Sequence, residues 1–131
     1  MYNSGPFQDL LGFTIHPAGP GRVEVILDIV EKHLNMYGIA HGGVPLALLD
    51  AAGGLAVRGA APDLTRMATI NLATQFVRPA KPGRVFAIGR AEGVGRAVGH
   101  ASMWLYEGAA DGPLLATAQG SYRLFRNGAE D

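Results

Sequence analysis

The sequence predicts an α+β protein in which one buried helix packs against an antiparallel sheet. Residues 44–57 form the longest nearly continuous apolar segment, and their richness in Ala and Leu favours a helix over a strand. Two strand-like runs precede this segment and about four follow it, with turn residues between them at hairpin spacing. Strands grouped in this way, without alternating helices, indicate an antiparallel sheet.

A short helix or turn begins the predicted fold, and a hairpin follows it. Pro6 stands near the start of this helix or turn and Gly12 at its end, where these residue types are common. Alternating apolar and polar side chains then indicate a half-buried strand. The expected ranges are 5–12 for the helix or turn, 13–16 and 22–29 for the hairpin strands, 17–21 for their turn, and 31–42 for a loop without period.

The central helix contains Pro45 in its first turn, the one helical place where a missing N–H costs little. Gly53 and Gly54 weaken the helix by about 1 kcal/mol each relative to Ala, but they allow another backbone or a ligand to approach closely. A turn is expected at residues 59–63. The strands predicted after it are 67–77, 85–91, 98–107 and 114–125.

Composition excludes several classes of function. The 131 residues are enough for one domain, which we expect to span residues 1–131. Lys and Arg number 11, as do Asp and Glu, so the chain has no basic footprint for nucleic acid. Cysteine is absent, which removes disulfides and thiolate chemistry. Without a signal peptide or a membrane-spanning segment, the protein is expected to be cytoplasmic.

Three familiar site motifs are absent or incomplete. Gly93, Gly95 and Gly99 resemble a nucleotide-binding loop, but the last glycine is one position late and the segment opens a strand, so a hairpin turn is expected. No G-x-S-x-G nucleophile elbow is present. The histidines do not form a ligand pair on one helix face, so no metal site is expected. They are His16, His33, His41 and His100.

Asp50 is the one charged residue inside the apolar segment, since no other formal charge lies between His41 and Arg58. One interpretation is a structural acid neutralised by an arginine or by hydrogen bonds, because an unpaired buried carboxylate is costly. The other is a reactive carboxylate in a pocket. Position alone leaves both interpretations open.

His41, Gly42 and Gly43 come directly before the helix, where backbone N–H groups lack partners and the helix dipole is positive. A glycine there would let a substrate carbonyl reach the N–H without a Cβ in the way, which makes an oxyanion site. An ordinary helix entry is the alternative. Asn35 could orient a carbonyl or a water through its amide, or it could simply form a turn.

These segments together resemble the hotdog-fold acyl-CoA thioesterases of the phenylacetic acid degradation (PaaI-like) group. The resemblance spans residues 10–125. The segments that carry it are Asn35-x-x-Gly38-x-x-His41-Gly42-Gly43, then Asp50 in the following helix, and residues 69–83, which read T-I-N-L-A-T-Q-F-V-R-P-A-K-P-G.

The resemblance implies an antiparallel sheet wrapped around one long helix, a homodimer with two sites at its interface, and often a homotetramer of paired dimers. It also implies an acyl-CoA substrate. Because a thioester carbonyl is electrophilic, a fixed N–H dipole and a carboxylate suffice, and no cofactor is expected. By resemblance, Gly42 N–H and Asn35 polarise the thioester carbonyl, Asp50 activates water or attacks directly, and Thr69 assists the carboxylate. The remaining candidates are His41 as a further catalytic residue and Gly43, Arg78, Lys81 and Arg96 as substrate-binding residues.

Helix geometry alone adds one constraint. Gly42 and Asp50 are eight positions apart, which corresponds to about 12 Å along a helix. The two residues cannot act on one carbonyl carbon from the same helix. If both act on one thioester, they must come from different subunits, so the catalytic interpretation predicts a twofold dimer with two composite sites.

Three other functions remain open at this point. The fold also carries acyl hydratases and dehydratases, which need an acid–base histidine, and His41 is the nearby candidate. A non-catalytic acyl-CoA binding protein and a purely structural dimer are the other possibilities. The acyl group is expected to be small and aromatic or of short to medium chain length. The sequence does not distinguish coenzyme A from acyl carrier protein.

Overall fold

The computed structural model describes residues 5–126 and contains one six-stranded antiparallel sheet crossed by a long helix. Its elements are α1 (Pro6–Leu11), β1 (Thr14–Pro17), β2 (Arg22–Ile29), a 3₁₀ turn (Glu31–His33), α2 (Gly43–Ala60), β3 (Leu64–Phe76), β4 (Gly83–Val94), β5 (Val98–Glu107) and β6 (Leu114–Arg126). The strand order across the sheet is β1-β2-β4-β5-β6-β3. The predicted α+β class and the hotdog architecture are confirmed.

The predicted elements all exist, and their bounds differ from the predicted ones by at most three residues. Two details were wrong. Residues 31–33 form a 3₁₀ turn inside the predicted loop, and α2 continues through Gly59 and Ala60, which were expected to begin a turn. In the second case the helix ends with a cap at Ala61, whose N–H donates to the Arg58 carbonyl.

Glycines set how closely α2 approaches the sheet. A Cβ at Gly89 on β4 would overlap the backbone carbonyl of Ala52 on α2. A Cβ at Gly99 on β5 would lie 2.6 Å from the Val57 side chain. Because backbone atoms cannot move aside as side-chain ends can, Gly89 fixes the depth at which the helix lies against the sheet.

One edge of the sheet is formed by β3, which is 13 residues long and pairs only with β6 within residues 5–126. Most of its side chains are exposed, and they include large apolar ones: Ile70 is 56% and Phe76 54% exposed. A long exposed edge strand with apolar side chains is a surface for pairing with another chain. The opposite edge, β1, is only four residues long.

A buried histidine connects α1 to the loop before α2. His33 is 3% exposed, and its Nδ1 accepts the Val30 N–H at 2.9 Å. Its Nε2 therefore carries the proton and donates to the Leu11 carbonyl, at 2.8 Å. The His33 backbone carbonyl accepts the His41 N–H, also at 2.8 Å. One residue thus links α1, the 3₁₀ turn and the start of α2.

Candidate active site

The Asp50 carboxylate lies half-buried on α2 and faces a cavity of about 250 Å³. Thr69 on β3 donates its hydroxyl to Asp50 Oδ1 at 2.8 Å. No cation neutralises this acid within residues 5–126, where the ion pairs are Arg84–Asp28, Arg90–Glu92 and Arg126–Asp63. The structural interpretation that pairs Asp50 with an arginine is therefore wrong for the described part of the chain.

Apolar side chains form most of the Asp50 cavity. From α2 these include Ala51 and Leu55, and from β3 Met67. Phe7 on α1 and Phe13 before β1 complete the wall. Of the two glycines that the sequence indicated for a close approach, Gly54 lines this cavity; the contribution of α1 was missed.

Tyr122 on β6 forms the floor of the same cavity and was also missed. Its side chain is 1% exposed, and its hydroxyl donates to the backbone carbonyl of Asp50 at 3.3 Å. Burial raises the pKa of the Tyr122 phenol, and the nearby negative charge of Asp50 raises this pKa further. The phenol therefore stays protonated, and able to donate, at neutral pH.

A second cavity, of about 360 Å³, lies at the start of α2 and is lined by Asn35, Gly42, Phe76 and Arg78. The Gly42 N–H donates to no group among residues 5–126. Asn35 Oδ1 accepts the N–H groups of Tyr37 at 2.9 Å and Ile39 at 3.4 Å. Because Oδ1 is occupied by this turn, the amide Nδ2 remains as a donor for the cavity.

His41 and Gly43 are paired with each other. His41 Nδ1 accepts the Gly43 N–H at 2.9 Å, and the His41 carbonyl accepts the Val44 N–H at 2.8 Å. The exposed imidazole thus caps the start of α2. Of the two glycines, Gly42 has an N–H without a partner among residues 5–126, whereas the N–H of Gly43, a residue predicted to bind substrate, is already used.

The predicted basic residues do not lie together in one chain. Arg78 lines the Gly42 cavity, and its Nη1 donates to the Leu114 carbonyl at 2.9 Å. Lys81 is exposed in the same connection between β3 and β4. Arg96 lies between β4 and β5, where its carbonyl accepts Arg126 Nε at 3.1 Å, beside the beginning of β3. Arg78 follows the other end of β3.

The donor and the carboxylate are separated in one chain. Gly42 and Asp50 line different cavities that share no residue. Ligand pockets have volumes of roughly 300–1,000 Å³. The volume of the Asp50 cavity lies below this range, and that of the Gly42 cavity lies near its lower end. Each therefore has the size of part of a site for a large ligand.

The described residues lack two features: a cluster of metal-binding side chains and a membrane-spanning helix. Between residues 5 and 126, no group of three or more His, Asp or Glu side chains is placed to hold a metal ion. In the same range, no helix is long and apolar enough to cross a bilayer.

The curved sheet around one helix places the protein among hotdog-fold proteins, and comparison with known proteins defines its family. Residues 37–106 match the thioesterase superfamily. A protein of Halobacterium salinarum, provisionally named an esterase, is 35% identical over 89% of this chain and 83% of its own. One from Pseudomonas aeruginosa with the same provisional name is 32% identical over 95% and 92%.

Among solved structures, a variant of the phenylacetic acid degradation protein PaaI from Thermus thermophilus superimposes with a TM-score of 0.80 at 26% identity. The match covers 91% of this chain and 98% of that one. The chain belongs to the thioesterase superfamily, and the protein is a thioester hydrolase of PaaI-like type.

Proposed function

We propose that this protein hydrolyses the thioester of a small aromatic or short- to medium-chain acyl-CoA to a free acid and coenzyme A. The observation that carries the proposal is the Asp50 carboxylate, which is held by Thr69, faces an apolar cavity and has no cationic partner among residues 5–126. The apolar wall of the cavity can hold an acyl group, and the Asp50 carboxylate at its polar end can react with the thioester.

The reaction needs a carbonyl polariser and a base or nucleophile. In the proposed site the thioester oxygen accepts the Gly42 N–H, and Asn35 Nδ2 is a second donor. Asp50 takes a proton from the water that attacks the carbonyl carbon, or attacks that carbon itself to form an anhydride that water then opens. The C–S bond breaks, and coenzyme A leaves as the thiolate. A thioester carbonyl is electrophilic enough for this scheme without a cofactor.

The proposed site is completed by a second copy of the chain. The separation of Gly42 and Asp50 requires it, and the exposed β3 edge offers the surface for it. Antiparallel pairing of two β3 edges brings the beginning of one strand beside the end of the other. The Asp50 cavity of one subunit would then meet the Gly42 cavity of its partner, and two such dimers would form the tetramer.

The same pairing gives the basic residues a common role. Arg78 and Lys81 follow the end of β3, and Arg96 lies beside its beginning. In the antiparallel dimer, Arg96 of one subunit would approach Arg78 and Lys81 of the other. We propose that these side chains bind the phosphates of coenzyme A.

Hydration or dehydration of an acyl-CoA is the less favoured activity. It requires a histidine that exchanges protons with the substrate, and His41 lines neither the Gly42 cavity nor the Asp50 cavity. The carboxylate and the free N–H fit hydrolysis without a histidine.

The decisive experiment compares wild-type protein with Asp50→Asn for thiol release from a panel of aryl and alkyl acyl-CoA thioesters. We expect Asp50→Asn to lose about 10²–10⁴-fold in kcat while its fold and oligomeric state are retained, because an amide neither accepts a proton nor attacks. Asp111→Asn, an exposed change in the turn between β5 and β6, is the matched control.

Two results would contradict the proposal. A fully active Asp50→Asn variant would return Asp50 to a structural role. A wild-type protein that binds acyl-CoA without releasing thiol would be a binding protein.

A further inference from the structure

Tyr122 lies beneath Asp50, and the scheme above does not use it. Its hydroxyl donates to the Asp50 backbone carbonyl at 3.3 Å. Thr69, which donates to the carboxylate of the same residue, is the direct cross-strand partner of Tyr122 in the β3–β6 pairing. One cross-strand pair therefore supplies two hydroxyl groups that hold Asp50 at two different atoms.

The Tyr122 hydroxyl occupies a slot between two glycines. A Cβ at Gly53 on α2 would lie 2.6 Å from this oxygen, and a Cβ at Gly120 on β6 would lie 2.7 Å from it. A Cβ at Gly54 would lie 3.3 Å from the ring carbon Cε1. The glycine pair that weakens α2 thus makes room for the phenol against the helix turn that carries Asp50.

The Asp50 carbonyl does not need the Tyr122 hydroxyl as a hydrogen-bond donor. Asp50 lies in the middle of α2, where main-chain carbonyls already accept the N–H four residues further on. The buried phenol does need an acceptor, and the one it uses belongs to the residue whose carboxylate faces the cavity. The contact fixes the backbone of Asp50, as Thr69 fixes its side chain.

We propose that Tyr122 is a positioning residue, which holds the helix turn of Asp50 so that the carboxylate points at the thioester carbon. The inference rests on the proposed function. Tyr122 acts through Asp50 and not on the substrate, so its loss should change the rate of the chemical step more than substrate binding.

Tyr122→Phe removes only the hydroxyl. We expect kcat to fall about tenfold, the effect of about one hydrogen bond, with KM for the best thioester unchanged within about twofold. Tyr106→Phe is the matched control, because Tyr106 is half-buried on β5 and lines neither cavity. A merely structural role would lower the unfolding temperature of Tyr122→Phe and leave kcat per folded molecule unchanged.

The same substitution in an Asp50→Asn background tests whether Tyr122 acts through Asp50. There we expect no further loss, because the group that Tyr122 positions is gone. Gly53→Ala is a second variant, which keeps the phenol but crowds its oxygen and the Met103 sulfur, each 2.6 Å from the new Cβ, and it should lower kcat as well.

Wild-type kcat in Tyr122→Phe or in folded Gly53→Ala, with Asp50→Asn inactive, would overturn the inference and leave the proposed function standing. An additive further loss in the double variant would also overturn it. An active Asp50→Asn protein would instead overturn the proposed function itself.

Discussion

Thr69 holds the Asp50 carboxylate from a strand that lies 19 positions further along the chain. The hydrogen bond orients the carboxylate but does not neutralise it, whereas an arginine partner would. Asp50 is therefore fixed in direction and has no cationic partner among residues 5–126. A carboxylate in this setting is a better base or nucleophile than one paired with a cation.

The Thr69 hydroxyl can be removed with little change of shape. We expect Thr69→Val to lower kcat about tenfold, because Val keeps the branched shape suited to a strand but cannot donate to Asp50. Thr69→Ser restores a donor and should keep more of the activity than Thr69→Val. Steady-state thiol release measures both. Equal kcat in wild type and Thr69→Val would show that the hydrogen bond is not needed for the reaction.

At the scale of elements, α2 connects both cavities to the sheet. Gly42 directly precedes its first residue and its middle carries Asp50, so the position of the helix sets both groups at once. His33 adds a second connection, because it fastens α1, a wall of the Asp50 cavity, to the loop that ends at Gly42. Through α2 and His33, the walls of the two cavities are therefore connected within one chain.

Gly89 on β4 sets how closely α2 packs against the sheet. Gly89→Ala should lower the free energy of unfolding by at least about 2 kcal/mol, because the new methyl group would overlap the Ala52 carbonyl. Gly93→Ala on the same strand is the matched control: its Cβ would meet nothing within 4 Å, and we expect a change within about 0.5 kcal/mol. Urea unfolding measures both variants. Equal midpoints for Gly89→Ala and wild type would argue against so close an approach.

At the scale of the whole molecule, the two groups that the proposed reaction needs are separated within one chain. The Gly42 donor and the Asp50 carboxylate line separate cavities. Strand β3 pairs with β6 on one side, and its other side is unpaired among the described residues. A twofold dimer resolves both features, because it covers the edge and joins the cavities of different subunits.

Subunit mixing tests the composite site. Gly42→Pro removes the N–H with little backbone change, since φ of Gly42 is −54° and proline prefers about −65°. We expect Gly42→Pro and Asp50→Asn each to be nearly inactive. An equal mixture, co-refolded, should regain about one quarter of wild-type activity, because half of the dimers are mixed and each mixed dimer has one intact site of two.

Light scattering checks that both variants keep the oligomeric state of the wild type. A mixture no more active than its parents would mean that both groups act within one chain.

The amino-acid sequence by itself determined the fold class, the number of strands and the place of the helix. Alternation in residues 22–29, the apolar run at 44–57 and the turn residues are local signals, and local signals suffice for such elements. Asp50 and Gly42 were also proposed as site residues from local signals, as a charge inside an apolar run and a glycine before a helix. Thr69 came from the resemblance to a family.

Only the tertiary structure decided which distant residues meet. It brought Thr69 and Tyr122 to Asp50, packed the Tyr122 hydroxyl against Gly53, and separated Arg96 from Arg78. These contacts depend on strand register, on the bulge between Thr69 and Asn71, and on the depth of α2 against the sheet. Periodicity tells which face of an element is apolar, but it does not fix the register or the depth at which two elements pack.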